Sequence, residues 1–171
     1  MIKRLKYGAT YILDKIDQDI IIKMSDRICG QKRKHFVDNF QVDKSLSLNT
    51  LNVEGFGAEL AFCRLQGVPF DSTTIERESH FNKVDATLKN NMTVDVKWTK
   101  YRAGHLAVRI GKELKYVNMY ALIIGNFPSY WFAGWATYED TIKEENKKNL
   151  GKGFGYCLNQ SQLNKELVIQ H

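Results

Sequence analysis

The chain has 171 residues, of which 43% are hydrophobic, 12% aromatic and 26% charged, with a formal net charge of +6 and an isoelectric point near 9.2. That mixture excludes a disordered, collagenous or disulfide-scaffolded protein, and a chain of this length buries roughly 70% of its unfolded surface without needing a structural metal. No apolar run approaches the roughly 20 residues of a membrane span, so no membrane partner is expected, and the surplus of cations favours a polyanionic partner.

No repeat, linker or low-complexity tract divides the sequence, which predicts one domain over 1–171. Its first part, 1–50, is basic and helical, with ten Lys and Arg against six acids. The start Met-Ile-Lys-Arg-Leu-Lys is followed by no apolar stretch with a small-residue cleavage site, so no signal peptide and a cytoplasmic location are expected. Ile20, Ile21, Ile22, Met24 and Ile28 fall at helical spacing and predict a helix near 17–30. Behind it, Lys32, Arg33, Lys34 and His35 form either a solvated helix end or a phosphate contact.

A second helix is predicted over 54–66, with Asn52 as its cap and Gly67 and Pro69 as its stop. The period then changes to two. Val84–Leu88 and Met92–Thr99 alternate apolar and polar residues around Lys89, Asn90 and Asn91, the pattern of a hairpin. Residues 120–126 and 130–138 are apolar on both faces, as central strands are. A polar helix or loop over 139–149, a glycine-rich turn over 151–155 and a short helix over 162–167 complete the reading. The fold class expected is α/β, a central mixed sheet flanked by helices.

Chemistry enters at the second helix. At about 100° per residue, Gly55 and Cys63 lie about 40° to either side of Glu59, and Phe56 and Phe62 about 60°. Glu59 therefore sits mid-stripe, where an ionised carboxylate requires a cation, a metal or hydrogen-bond donors. Glu54 and Arg64 point to the far face, and Glu54 is expected in solvent. In the hairpin, a single apolar face fixes the register as Leu88 with Met92, Ala86 with Val94 and Val84 with Val96, around a three-residue loop whose Asn91 adopts the left-handed conformation. The same register sets Asp85 across from Asp95, with Lys97 two residues further on the same face. Facing carboxylates about 5 Å apart repel unless protonated or bridged. A hard divalent ion resolves that conflict: Mg²⁺ takes one or two carboxylates, and the Val96 carbonyl would add an oxygen. Lys97 would orient the attacking water and offset charge in the transition state, and Glu59 would complete the site directly or through water. Asp95 paired with Lys97 in a structural ion-pair network is the competing reading.

These residues resemble the PD-(D/E)XK nuclease superfamily. The matching stretches are Gly57-Ala58-Glu59-Leu60-Ala61, Val84-Asp85 and Asp95-Val96-Lys97, within a core of roughly 54–140; 141–171 is then an extension. Val84 stands where the family name has proline, and Asp95 fills the acidic position of the second motif. The resemblance implies a restriction-endonuclease-like fold and Mg²⁺-dependent phosphodiester hydrolysis, with Mn²⁺ able to substitute. It implies Asp85, Asp95 and Lys97 as the core site, Glu59 as accessory acid, and Glu59, Asp85, Asp95 and Val96 as metal ligands. DNA is expected over RNA, with one metal or two, and a homodimer for double-strand cuts. The small single-domain form suggests a phage or mobile-element nuclease.

Lys100, Arg102, Arg109, Lys112 and Lys115 follow the second motif and are candidate phosphate contacts. Tyr101, Tyr130, Trp131 and Trp135 are read as packing rather than as base-stacking groups. His35, His80, His105 and His171 show no metal-nuclease spacing, and Cys29, Cys63 and Cys157 are read as free thiols. No P-loop order is present in 151–155.

Overall fold

Two long helices form where the sequence repeats its apolar residues at helical spacing, and both run further than predicted. The computed structural model describes residues 3–5, 9–32, 47–73, 84–111, 113 and 116–169. Helix α1 spans Lys15–Lys32 and α2 spans Leu48–Gln66. The cap of α2 is Ser47, whose hydroxyl accepts from the Thr50 N–H at 3.1 Å. Asn52, the predicted cap, lies one turn inside, because a serine further upstream meets the free N–H groups first. The predicted stop holds: Gly67 takes a left-handed φ of 63° and donates to the Arg64 carbonyl. His35, His80, His171, Lys112, Lys115 and the cations at 33 and 34 lie outside the described residues.

The main sheet has five strands in the order β2-β7-β6-β4-β3, with β2 Thr10–Ile12, β3 Ala86–Thr87, β4 Thr93–Thr99, β6 Met119–Asn126 and β7 Ser129–Thr137. Strand β4 runs parallel to β6 and the other pairs are antiparallel, so the sheet is mixed as expected. Alternation along β6 divides the core in two. Met119, Ala121 and Ile123 join Val94, Val96, Phe132 and the buried faces of α1 and α2. Tyr120, Leu122 and Ile124 pack with Leu106, Val108 and Leu158 on the other side.

The helices thus stack on one face, and a second, three-stranded sheet takes the place of helices on the other. It is ordered β5-β9-β8, with β5 Leu106–Arg109, β8 Lys147–Asn149 and β9 Phe154–Leu158. The polar stretch over 139–149 contains α3, Tyr138–Thr141, then a single 3-10 turn and β8. The tail is not helical: it makes a 3-10 turn at Gln160–Gln162 and then strand β10, Leu167–Ile169, paired with β1, Lys3–Leu5. Apolar Leu167, Val168 and Ile169, two of them β-branched, favour extended pairing over a short isolated helix. Among the described residues no helix is long and apolar enough to cross a membrane.

Helix and sheet meet closely at Gly57, where an added Cβ would lie 2.3 Å from the Tyr130 hydroxyl oxygen. A glycine in mid-helix weakens it by roughly 1 kcal/mol relative to alanine, and here that cost permits the contact between α2 and β7. Arg64 joins the two helices by donating to both oxygens of the buried Asp17 carboxylate, at 2.7 and 3.1 Å.

Candidate active site at the open edge of β4

The site begins with the hairpin, whose register is the predicted one. Ala86 pairs with Val94 and Thr87 with Thr93, and the Leu88 N–H reaches the Met92 carbonyl at 2.8 Å. Asn91 has a φ of 65°, the left-handed conformation the three-residue loop requires. Pairing stops earlier than the alternation implied, for β3 holds two residues only. Val84 leaves the face of Ala86 and packs into the opposite core, so the register of this strand no longer decides where its side chains point.

That departure gives Asp85 its position. Its N–H still donates to the Val94 carbonyl at 3.0 Å, and its Oδ2 accepts from the Val96 N–H at 2.7 Å. A carboxylate thus takes the place of the next strand along β4. In an extended strand the N–H and C=O of one residue point to the same side, so the Val96 carbonyl faces this edge as well. Asp85 also feels the negative charge of Asp95, which adds to the rise of its carboxyl.

Asp95, 6% exposed, and Lys97 follow on β4. The Lys97 ammonium lies 3.0 Å from one oxygen of Asp95 and 2.8 Å from the other, and it sits 5.9 Å from the centre of the Tyr120 ring. Tyr120 is the parallel partner of Asp95 on β6. The sequence marks this residue only as a strand residue, because nothing local reveals which residue a parallel neighbour brings alongside.

Glu59 completes the cluster from α2. Burial first, and then the negative charge of Asp95, push its carboxyl up to about 8 against the opposing pull of Lys97. Burial also holds Asp85 well above the usual carboxylate range, reinforced by Glu59 and Asp95 and opposed by the Val96 N–H. Cys63, one turn beyond Glu59 and fully buried, has its thiol pushed up to about 12 by burial and by Glu59 and Asp85. Glu59, Asp85, Asp95 and Lys97 thus lie close enough for their charges to act on one another.

Glu54 is not in solvent. It is 8% exposed and accepts from the Phe127 N–H at 2.8 Å and the Tyr130 hydroxyl at 3.0 Å. Burial raises its pKa and those two donors oppose the rise. Of the candidate phosphate contacts, Lys100 and Arg102 lie on the loop from β4 to β5, and half-buried Arg109 ends β5. Tyr130 is buried and Trp131 and Trp135 are partly so, as expected of packing residues. Tyr101 differs: it is 62% exposed, because the chain has already left the sheet. The three cysteines are free, with Cys63 and Cys157 buried and Cys29 partly so.

Three acids and a peptide carbonyl supply the hard oxygen donors that a divalent cation takes, so the residue types fit Mg²⁺ or Mn²⁺. With the side chains as they stand, no group of three or more His, Cys, Asp or Glu among the described residues is gathered to hold a metal ion, and both Asp95 oxygens face Lys97. Compared with protein-family models, with curated proteins and with solved structures, the chain gives no match in any of the three.

Proposed function

We propose that this chain is a metal-dependent nuclease hydrolysing phosphodiester bonds of DNA by PD-(D/E)XK-type chemistry, on a restriction-endonuclease-like version of its α/β fold. The observation that carries the reading is the geometry at the edge of β4: Asp85, just ahead of β3, sits on the Val96 N–H, and Asp95 faces Lys97 with both oxygens, while Glu59 approaches from α2. A purely structural acid is normally matched by donors, as Glu54 is. Here loss of solvent raises Glu59 and Asp85, and the neighbouring acids add to it, an arrangement found at functional sites.

Asp85, Asp95 and the Val96 carbonyl, with Glu59 beside them, would hold a divalent cation, which would supply Lewis acidity and a lowered pKa for bound water. The chain's own groups do the rest. Asp85, anchored by the Val96 N–H, keeps one carboxylate oxygen fixed at the edge. The Lys97 ammonium, freed from Asp95, orients the attacking water and offsets the charge that develops on the phosphate oxygens. Glu59, in its ionised form, would take the proton of the attacking water.

Incubation of the purified protein with supercoiled plasmid, labelled duplex, single strands and matched RNA, in Mg²⁺, Mn²⁺ or EDTA, tests this. Nicking that requires the metal, is lost in Asp95→Ala and Lys97→Ala, and leaves binding intact supports it; preferential cutting of RNA moves the substrate and keeps the chemistry. The two-oxygen contact of Lys97 with Asp95 favours a second reading, a non-catalytic nucleic-acid-binding module with an internal ion pair. Binding that is equal with and without EDTA, with no substrate cut, selects that module. One site per chain cuts one strand, so metal-dependent double-strand breaks would call for a homodimer.

A further inference from the structure

We infer that the loop leaving β4 presents Tyr101 as a stacking platform for one unpaired nucleobase beside the proposed site, so that the enzyme acts at unpaired nucleotides in preference to intact duplex. This rests on the nuclease reading for its substrate class and adds which part of the substrate is gripped.

The ring is placed where a neighbouring nucleotide would lie. Tyr101 follows Lys97 by four residues, at most about 13 Å along an extended chain, and is 62% exposed. Tyr130 on β7 is by contrast fully buried, while Phe154 and Tyr116 share the exposure of Tyr101, at 57% and 49%, but not its place beside Lys97 in the chain. The loop that carries the ring is fixed by hydrogen bonds of its own. The Tyr101 N–H donates to the Thr99 hydroxyl at 3.3 Å, and the Gly104 N–H donates to the Tyr101 carbonyl at 2.8 Å. The Gln160 side-chain amide clamps the loop from the tail, donating to the Arg102 carbonyl at 2.8 Å and the Gly104 carbonyl at 2.9 Å. A Cβ at Gly104 would stand 2.3 Å from Cγ2 of Thr99 and 2.8 Å from the Tyr101 carbonyl oxygen, so the closed turn depends on glycine there. An exposed aromatic on a pre-ordered loop loses little entropy on binding.

Charge identifies the occupant. From Val96 to Lys112 the sequence holds five Lys and Arg residues and no acid. The Lys100 ammonium lies 5.2 Å from the centre of the Tyr101 ring, so a cation and a flat apolar surface are offered together. That pairing matches a base with its attached phosphate. Stacking requires the base to be out of its helix, which is why the platform selects unpaired nucleotides.

The test is equilibrium binding in EDTA, where cleavage does not intervene, of labelled single-stranded oligodeoxythymidine and of blunt duplex to the wild type, Tyr101→Ala and Tyr101→Phe. Tyr101→Ala is expected to weaken single-strand binding by about 5- to 150-fold, with the slope of log K against log salt unchanged. Tyr101→Phe is expected to retain wild-type affinity, and duplex binding to be insensitive to either change. Equal single-strand affinity in wild type and Tyr101→Ala overturns the inference, as does an equal loss on duplex or a loss in Tyr101→Phe matching that of alanine. Cleavage is read separately in Mg²⁺: no cutting with the stacking effect intact defeats only the hydrolytic reading, while cutting with no Tyr101 effect defeats only the platform.

Discussion

Glu54 and Glu59 lie five residues apart on the same helix, the first buried and the second half-buried, and both have pKa values raised chiefly by loss of solvent. Their surroundings differ. Glu54 meets a backbone N–H and a tyrosine hydroxyl that oppose the shift; Glu59 meets two more acids, directly or through Asp85, and a lysine already engaged with Asp95. Glu54 joins α2 to the turn between β6 and β7, a matched structural contact. At Glu59 a neighbouring acid adds to the rise and only the charge of Lys97 opposes it, and it is on this contrast that the proposed cation site rests.

The largest effect expected from breaking this contrast is catalytic. Asp95→Ala and Lys97→Ala should each lower Mg²⁺-dependent nicking by about 10²–10³-fold or more, whereas Glu54→Gln should cut at close to the wild-type rate, as read on supercoiled plasmid. Stability should show the reverse order. Glu54→Ala leaves the Tyr130 hydroxyl and Phe127 N–H without their acceptor and is expected to cost about 2–3 kcal/mol in urea unfolding. Glu59→Gln, which removes repulsion, should raise stability in EDTA at pH 8 by on the order of 1 kcal/mol.

The sign of the pH dependence follows from Glu59 and Asp85. Because Glu59 is raised from 4.5 to about 8, the folded chain holds a proton across that window that the unfolded chain has released. The contribution of Glu59 to the stability of the metal-free protein is therefore fullest below about 4.5 and is lost as pH rises through about 8, with Asp85 acting in the same direction. Chemical denaturation across that range should show the decline, and Glu59→Gln should flatten it. The smallest effect belongs to Arg102→Ala: a phosphate contact there would reduce the salt slope of duplex binding by about 0.9, measured by titration in EDTA.

Much of the site is legible in the sequence because it rests on local rules. Asn91 and the alternation around it fix the hairpin register, and helical spacing sets Glu59 toward the apolar side. What escapes is set by distant partners. The wheel that sends Glu54 to solvent assumes one covered side, but α2 is packed by α1 and by the sheet, and Gly57 lets Tyr130 approach from β7. Val84 changes cores because pairing ends at Ala86, which alternation alone does not reveal. The second sheet pairs β5 with the β8–β9 hairpin far downstream in the chain, and Tyr101 reads as core only while the loop after β4 is taken for strand.

The claim that the acid group awaits a cation is tested most directly by thermal unfolding at pH 8 with and without Mn²⁺, on the wild type and Asp95→Asn. The account predicts that Mn²⁺ raises the melting temperature of the wild type and that this rise disappears in Asp95→Asn. A wild type indifferent to Mn²⁺, or an Asp95→Asn protein that gains as much from it, would contradict the claim.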